Sequence, residues 1–345
     1  MNFAPRVQKA FAAPTKPDAG TSASELGPLP EWKLEDLYPA MDSPEFLADL
    51  AAMDAESKAF ALQFKGKLAA LAGGKTGAKD LCGAIRAYEV IEDRMGRIIS
   101  YAGLIYSTDT TNPVHGKFYG DTQEKVTNAS SELLFFTLEM NLIDDALMDR
   151  LMDLAPLGHY KPWLIDLRRD KPFQLEDRIE QLFHEKSTTG RSAWNRLFDE
   201  TMASLRFDVD GEILTLEPTL TRFQDADETK RKSAALAIAK TLGENGRLFT
   251  LITNTLAKDK EISDRWRGFE DVADSRHLAN RVEREVVDAM VAAVEAAHPR
   301  LSHRYYALKA KWFGKEKLEF WDRNAPLPKV PQRTISWGEA RDTVL

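Results

Sequence analysis

Helical periodicity constrains this chain more than any other feature. Leu81, Ile85, Tyr88, Met95, Ile98, Ala102 and Ile105 form one apolar stripe recurring every three or four positions, the spacing that places side chains on one helix face. Such a face must be buried against other elements. The same pattern recurs along most of the sequence. Ser43 is a fitting N-cap for a helix that carries Phe46, Leu50 and Met53 and runs to the break AGGKTG. After the turn cluster STDTTNPVHG, a third helix presents Phe118, Leu133, Phe136 and Met140. Shorter helical segments follow, bounded by Pro156, Pro172 and Gly190.

One stretch departs from this period. Residues 205–216, LRFDVDGEILTL, alternate apolar and polar around Asp210-Gly211, a strong short-range hairpin signal. Helical spacing then resumes from Pro218. Val282, Val286, Ala289, Ala293 and Ala297 share a later face, Pro299 interrupts it, and Leu301, Tyr305, Leu308 and Trp312 continue it. The fold class expected is mainly α, a multi-helix assembly with one small β-hairpin. No fixed solenoid repeat is visible.

Composition narrows the function classes. The 345 residues are 43% hydrophobic and 29% charged, with a formal net charge of −7, as in a globular chain with a sizeable core. Nucleic-acid binding needs clustered Lys and Arg, which an acidic chain disfavours. No segment approaches the ~18 apolar residues of a membrane span. Cys82 is the one cysteine, so no internal disulfide and no Cys-rich zinc site can form. It is expected to be a small buried residue in a reducing cytoplasm. Residues 1–30 are rich in Ala and Pro and poor in bulky apolar side chains, which predicts a disordered tail.

The stretch QLFHEKSTTG, residues 181–190, opens like the zinc-peptidase motif H-E-x-x-H. In that motif two histidines one helical turn apart bind metal, and the Glu polarises the bound water. Here Thr188 stands at the second histidine's position, so His184 and Glu185 are expected to be a coincidence, with His184 at a helix C-terminus facing the favourable dipole. The other histidines are His115, His159, His277, His298 and His303. His298 and His303 are nearest in sequence, but five helical residues and Pro299 should turn them apart. There is no G-x-S-x-G elbow, no P-loop and no G-x-G-x-x-G. Glu176-Asp177 is read as a solvated helix face. In residues 303–328, aromatics interleave with lysines. The expected arrangement is an aromatic stripe on the core with Lys309, Lys311, Lys315 and Lys317 at the wet edge.

The segment RYYALKAKWFGKEKLEFWDRNAPLP resembles the region preceding the active site in oligoendopeptidase F, of the thimet-oligopeptidase-like family of zinc metallopeptidases. EWKLEDLYPAMDSPEF resembles that family's beginning, LRFDVDGEILTLEPTLTRFQDADETKRKSAALAI its hairpin and following helix, and LAKDKEISDRWRGFEDVADSRHLANRVEREVVDAMVAAV the next two elements. The resemblance covers roughly residues 31–345 in order. It implies a helical peptidase whose two lobes enclose a channel for short unstructured peptides. It implies zinc held by H-E-x-x-H and a Glu on a following helix. No catalytic, cofactor-binding or metal-binding residue carries over onto this sequence, because the motif is expected after SWGEARDTVL, which reads as a helix cut mid-element. The expected organisation is a tail at 1–30, an N-terminal helical lobe at 31–203, and the first, incomplete part of the catalytic domain at 204–345. The expected function is that of the N-terminal part of a cytoplasmic zinc oligoendopeptidase, with zinc in the complete protein, none on this chain and no activity alone. The alternative is a stand-alone helical module binding peptides or a partner. A fragment of a two-lobed shell should also expose apolar surface across residues 281–320.

Overall fold

The computed structural model describes residues 32–328 and 334–345; the tail expected at 1–30 lies outside them. Fifteen α-helices and one hairpin make up the described residues, apart from short 3-10 turns, so the chain is mainly α with a small β element.

The N-terminal part forms around three long helices. Helix α1 (Pro44–Phe64) starts at Ser43, whose side chain accepts from the Phe46 N–H at 3.3 Å. The helix expected to run on to AGGKTG is divided, because Gly66 takes a left-handed φ of 76°. Helix α2 (Leu68–Ala72) is therefore separate. Helix α3 (Gly77–Thr108) turns back tightly at Gly77, where a Cβ would lie 2.3 Å from the Ala72 carbonyl oxygen. Helix α4 (Pro113–Leu142) begins with Asn112 as N-cap and Pro113 in its first turn, where the missing N–H costs nothing. Asp144 caps α5 (Asp145–Met152).

The expected stripe on α3 faces inward: Leu81, Ile85, Met95, Ile98 and Ala102 are buried, and so is Cys82. Facing residues on α1 and α4 complete one apolar cluster, in which Phe60 meets Phe136 edge-on at 5.2 Å and Tyr88 stacks on Phe136 at 4.7 Å. Helix α6 (Lys161–Arg168) closes one end through Leu164. Helix α7 (Asp177–Lys186) packs along α4.

After α8 (Arg191–Ser204), strands β1 (Phe207–Val209) and β2 (Glu212–Leu214) pair antiparallel, Phe207 opposite Leu214. Asp210 and Gly211 both have positive φ, 56° and 90°, the two-residue turn that the Asp-Gly pair predicts. Helix α9 (Leu216–Thr221) leads to α10 (Glu228–Glu244), whose Ala234 and Ala237 cover Phe207 and Val209 in a second, smaller apolar cluster. Helix α11 (Gly246–Arg267) packs against α8, and α12 (Asp274–Ala279) follows.

Helices α13 (Arg284–Ala297) and α14 (Ser302–Trp312) expose their apolar residues, as expected for 281–320. Val286, Met290, Val294, Leu301, Tyr305 and Trp312 are between 44% and 62% exposed. This corrects the arrangement expected for 303–328. The aromatics Tyr305 and Trp312 face outward, whereas Lys309 is buried and donates to the Arg323 carbonyl at 2.8 Å. Lys315 is half-buried against Asp322 and Glu228; Lys311 and Lys317 are exposed as anticipated. Long-range partners are the reason: the Arg323 carbonyl takes Lys309, and Asp322, which also holds Arg231, takes Lys315. A last helix, α15 (Trp337–Val344), starts with a Ser336–Glu339 capping box.

Candidate functional site

His184 sits in the last turn of α7, where its dipole position is as expected. It does not point freely into solvent. Its Nε2 lies 2.7 Å from Ser130 Oγ on α4, and Ser130 Oγ also donates to the Thr127 carbonyl at 3.1 Å. Thr188 lies beyond the end of α7, so it cannot stand one turn along the same helix face. Its hydroxyl donates to the Glu185 carbonyl at 2.9 Å, and Glu185 accepts from Gln181 at 2.8 Å. Neither residue is directed at His184.

The surroundings of His184 form a cavity of about 470 Å³, lined by Leu134, Phe183, Gly190, Asp259 and Arg267 among others. Its dominant polar feature is the Glu180–Arg267 pair, which sequence reading did not single out. Arg267 holds Glu180 bidentately at 2.6 and 2.7 Å, and Glu180 also accepts from the Leu175 N–H at 2.9 Å. Burial alone would raise the Glu180 pKa, but the guanidinium and the backbone donor outweigh it and hold the carboxyl below its usual range. Among the described residues no carboxylate is hydrogen-bonded to the His184 imidazole, so the pair lacks the orienting acid of a nucleophilic triad.

Among the described residues, no group of three or more His, Cys, Asp or Glu side chains is placed to hold a metal ion. His184, Glu185 and Thr188 therefore do not fit zinc. His298 and His303 are closer than helical rotation predicts, with ring centroids 6.0 Å apart. The helix breaks between them: α13 ends at Ala297, α14 begins at Ser302, and the His303 N–H bonds to the His298 carbonyl at 3.0 Å. Two exposed imidazoles without a third donor still make no structural zinc site. His159 packs edge-on to Tyr160, and His277 lies in the last turn of α12. His115 is in the first turns of α4, its Nδ1 buried without a hydrogen-bond partner. Glu176 and Asp177 are exposed at the start of α7, as the solvated-face reading holds. No described helix is long and apolar enough to cross a membrane.

The chain is similar to known proteins along most of its length. The family described as Oligopeptidase F matches residues 139–207, from the end of α4 to the first residue of β1. Oligopeptidase PepF of Bacillus subtilis (strain 168) is 25% identical over 332 residues, covering 93% of this chain and 48% of the relative. The crystal structure of oligoendopeptidase-F from Enterococcus faecium superposes with a TM-score of 0.69 at 20% identity, over 82% of this chain and 56% of that one. A provisionally assigned oligoendopeptidase F from Bacillus anthracis str. Ames gives a TM-score of 0.62 at 19% identity, over 91% and 52%. The chain thus spans about half the length of the curated relative it matches.

Proposed function

We propose that the chain is a member of the oligoendopeptidase F family and that it serves as the N-terminal half of a zinc-dependent peptidase acting on short, unstructured peptides. The observation that carries this reading is the continuous match to Oligopeptidase PepF across 93% of the chain but only 48% of the relative. On this reading residues 31–203 are the helical lobe, residues 204–345 begin the catalytic domain, and the compartment is the cytoplasm. On this reading the zinc ligands and the water-activating Glu of the complete enzyme are not among residues 1–345. No catalytic step is assigned to any residue of this chain. The exposed apolar faces of α13 and α14 are then the surface that the remaining half covers.

A quenched fluorescent peptide incubated with the chain and zinc tests the reading together with the adjoining coding sequence. The expectation is no chelator-sensitive cleavage by the chain and an H-E-x-x-H motif encoded within roughly the next domain length. A stop directly after codon 345 would instead favour a second reading, a helical module that binds peptides or a partner helix through the apolar face of α13 and α14. That face is the specific observation in its favour.

A further inference from the structure

The two apolar clusters are separated by a seam that is unlike either of them. On one side stand α3, α4, α6, α7 and the turn Lys171–Phe173; on the other stand α8, α11 and α12. The second side contributes little that is fully buried: α8 and α12 have no buried residue, and α11 has only Ile252. Solvent-open clefts follow the seam along its length. Cavities of about 620 and 870 Å³ separate α3 and α4 from α8, and cavities of about 470 and 460 Å³ separate α4 and α7 from α11 and α12. Side chains facing an open cleft have no protein neighbour on that side, so apolar packing contributes little to closure here.

Beside the edge-on contact of Phe183 on α7 with Trp266 on α11 at 6.4 Å, a small set of directional contacts bridges the seam. Arg267, at the end of α11, holds Glu180 of α7 and donates to the Phe173 carbonyl at 3.2 Å. Arg281, just after α12, holds Asp170 through two bonds of 2.8 and 3.1 Å and reaches Asp166 on α6 at 2.8 Å. Phe173 stacks on Phe269 at 4.2 Å between the two guanidinium pairs. Arg281 does this from a left-handed backbone, φ 52°, where an L-residue other than Asn or Asp is rare and glycine is at ease. A strained arginine at a helix C-terminus whose side chain reaches two carboxylates across a gap indicates a function for the side chain rather than the backbone.

We propose that Arg267 and Arg281 form an ionic latch that closes this seam. Its release lets α8, α11 and α12 move away from the helical lobe while both apolar clusters stay intact. Helix α13 moves with them, because Arg284 at its start pairs with Asp271 and Asp274 of the α12 region. The latch therefore sets the direction in which the exposed apolar faces of α13 and α14 are presented. Contiguous units of this kind open at free energies well below global unfolding, and polar interfaces between units permit relative motion. This inference does not depend on the peptidase reading.

Arg281→Gly separates latch from backbone, since glycine keeps the left-handed turn while deleting the guanidinium; Arg281→Ala deletes the guanidinium and keeps the strain. Hydrogen exchange read by mass spectrometry on the 345-residue chain should show residues 166–186 and 264–284 exchanging about tenfold faster in both variants. Exchange in the buried part of α3, Leu81 to Tyr106, should be unchanged in Arg281→Gly. Wild-type chain in about 1 M salt should shift in the same direction, because screening at that strength acts within a few ångströms. Unchanged exchange at the seam, equal acceleration at the seam and in α3, or insensitivity to salt would each overturn the proposal.

Discussion

Arg231 and Asp322 meet at 2.7 Å with both side chains essentially out of water, 1% and 0% exposed. Arg231 spends its remaining donors on the carbonyls of Asp225, Ala226 and Trp321. Asp322 takes Lys315 on its other oxygen at 2.6 Å. The network fastens the segment after α14 to the start of α10. Removing one partner leaves buried charge uncompensated, which costs about 3–5 kcal/mol. Asp322→Asn is therefore expected to lower chemical-denaturation stability by about that amount, whereas Lys311→Ala on the exposed face should change it by less than about 0.5 kcal/mol.

The same carboxylate predicts a pH dependence. Burial would raise the Asp322 pKa, but its bonds to Lys315 and Arg231 outweigh burial and lower it. Glu180 behaves likewise beside Arg267. A depressed folded-state pKa means that the stabilisation is present above the unfolded value, near 4 for these groups, and is lost as pH falls through the folded value. Denaturation midpoints should be flat from neutral pH to about pH 5 with respect to these two groups and fall below about pH 4. In Asp322→Asn the acid-side fall should be shallower.

Gly77 makes a steric prediction. A Cβ there would stand 2.3 Å from the Ala72 carbonyl oxygen and 3.1 Å from that of Leu71. Both are backbone atoms that cannot rotate away. Gly77→Ala, usually stabilising within a helix, is expected instead to destabilise by about 1–3 kcal/mol. Gly83→Ala, on the same helix with open space around it, should stabilise by about 0.5–1 kcal/mol. Paired urea titrations of the two variants check the contrast.

The exposed faces of α13 and α14 predict the opposite of a core. Val294 is 51% exposed and Met290 59% exposed. Met290→Lys together with Val294→Glu should leave the unfolding free energy within about 1 kcal/mol. It should lower the binding of an apolar dye, since a contiguous apolar patch is broken. A large stability loss would mean that these residues are packed.

Much of this architecture is legible in the sequence because its determinants are local. Ser43 caps α1, Pro113 starts α4, Asp210-Gly211 turns the hairpin, and the Leu81–Ile105 stripe finds the core. The candidate site is not legible in the same way. Glu180 and Arg267 are 87 positions apart, and Arg231 and Asp322 are 91 apart; no periodicity links them. Lys309 shows the physical limit most clearly. Helical spacing places it within one turn of Tyr305 and Trp312 on the same side of the helix, so periodicity cannot say which of the three turns inward, and the carbonyl of Arg323 decides it. His298 and His303 approach because the helix breaks, an event that Pro299 signals without giving its geometry. His184 looked like half a motif, and its partner is Ser130, 54 positions earlier.

The proposal is that these helices are one lobe of an oligoendopeptidase whose hydrolytic residues are not among them. It is tested most directly by peptide cleavage with purified chain, using a quenched fluorescent substrate with zinc added and then with a metal chelator. The account predicts no cleavage above background in either condition, for the wild-type chain and for His184→Ala alike. Turnover by the wild-type chain that the chelator abolishes, and that His184→Ala removes without unfolding the chain, would contradict it.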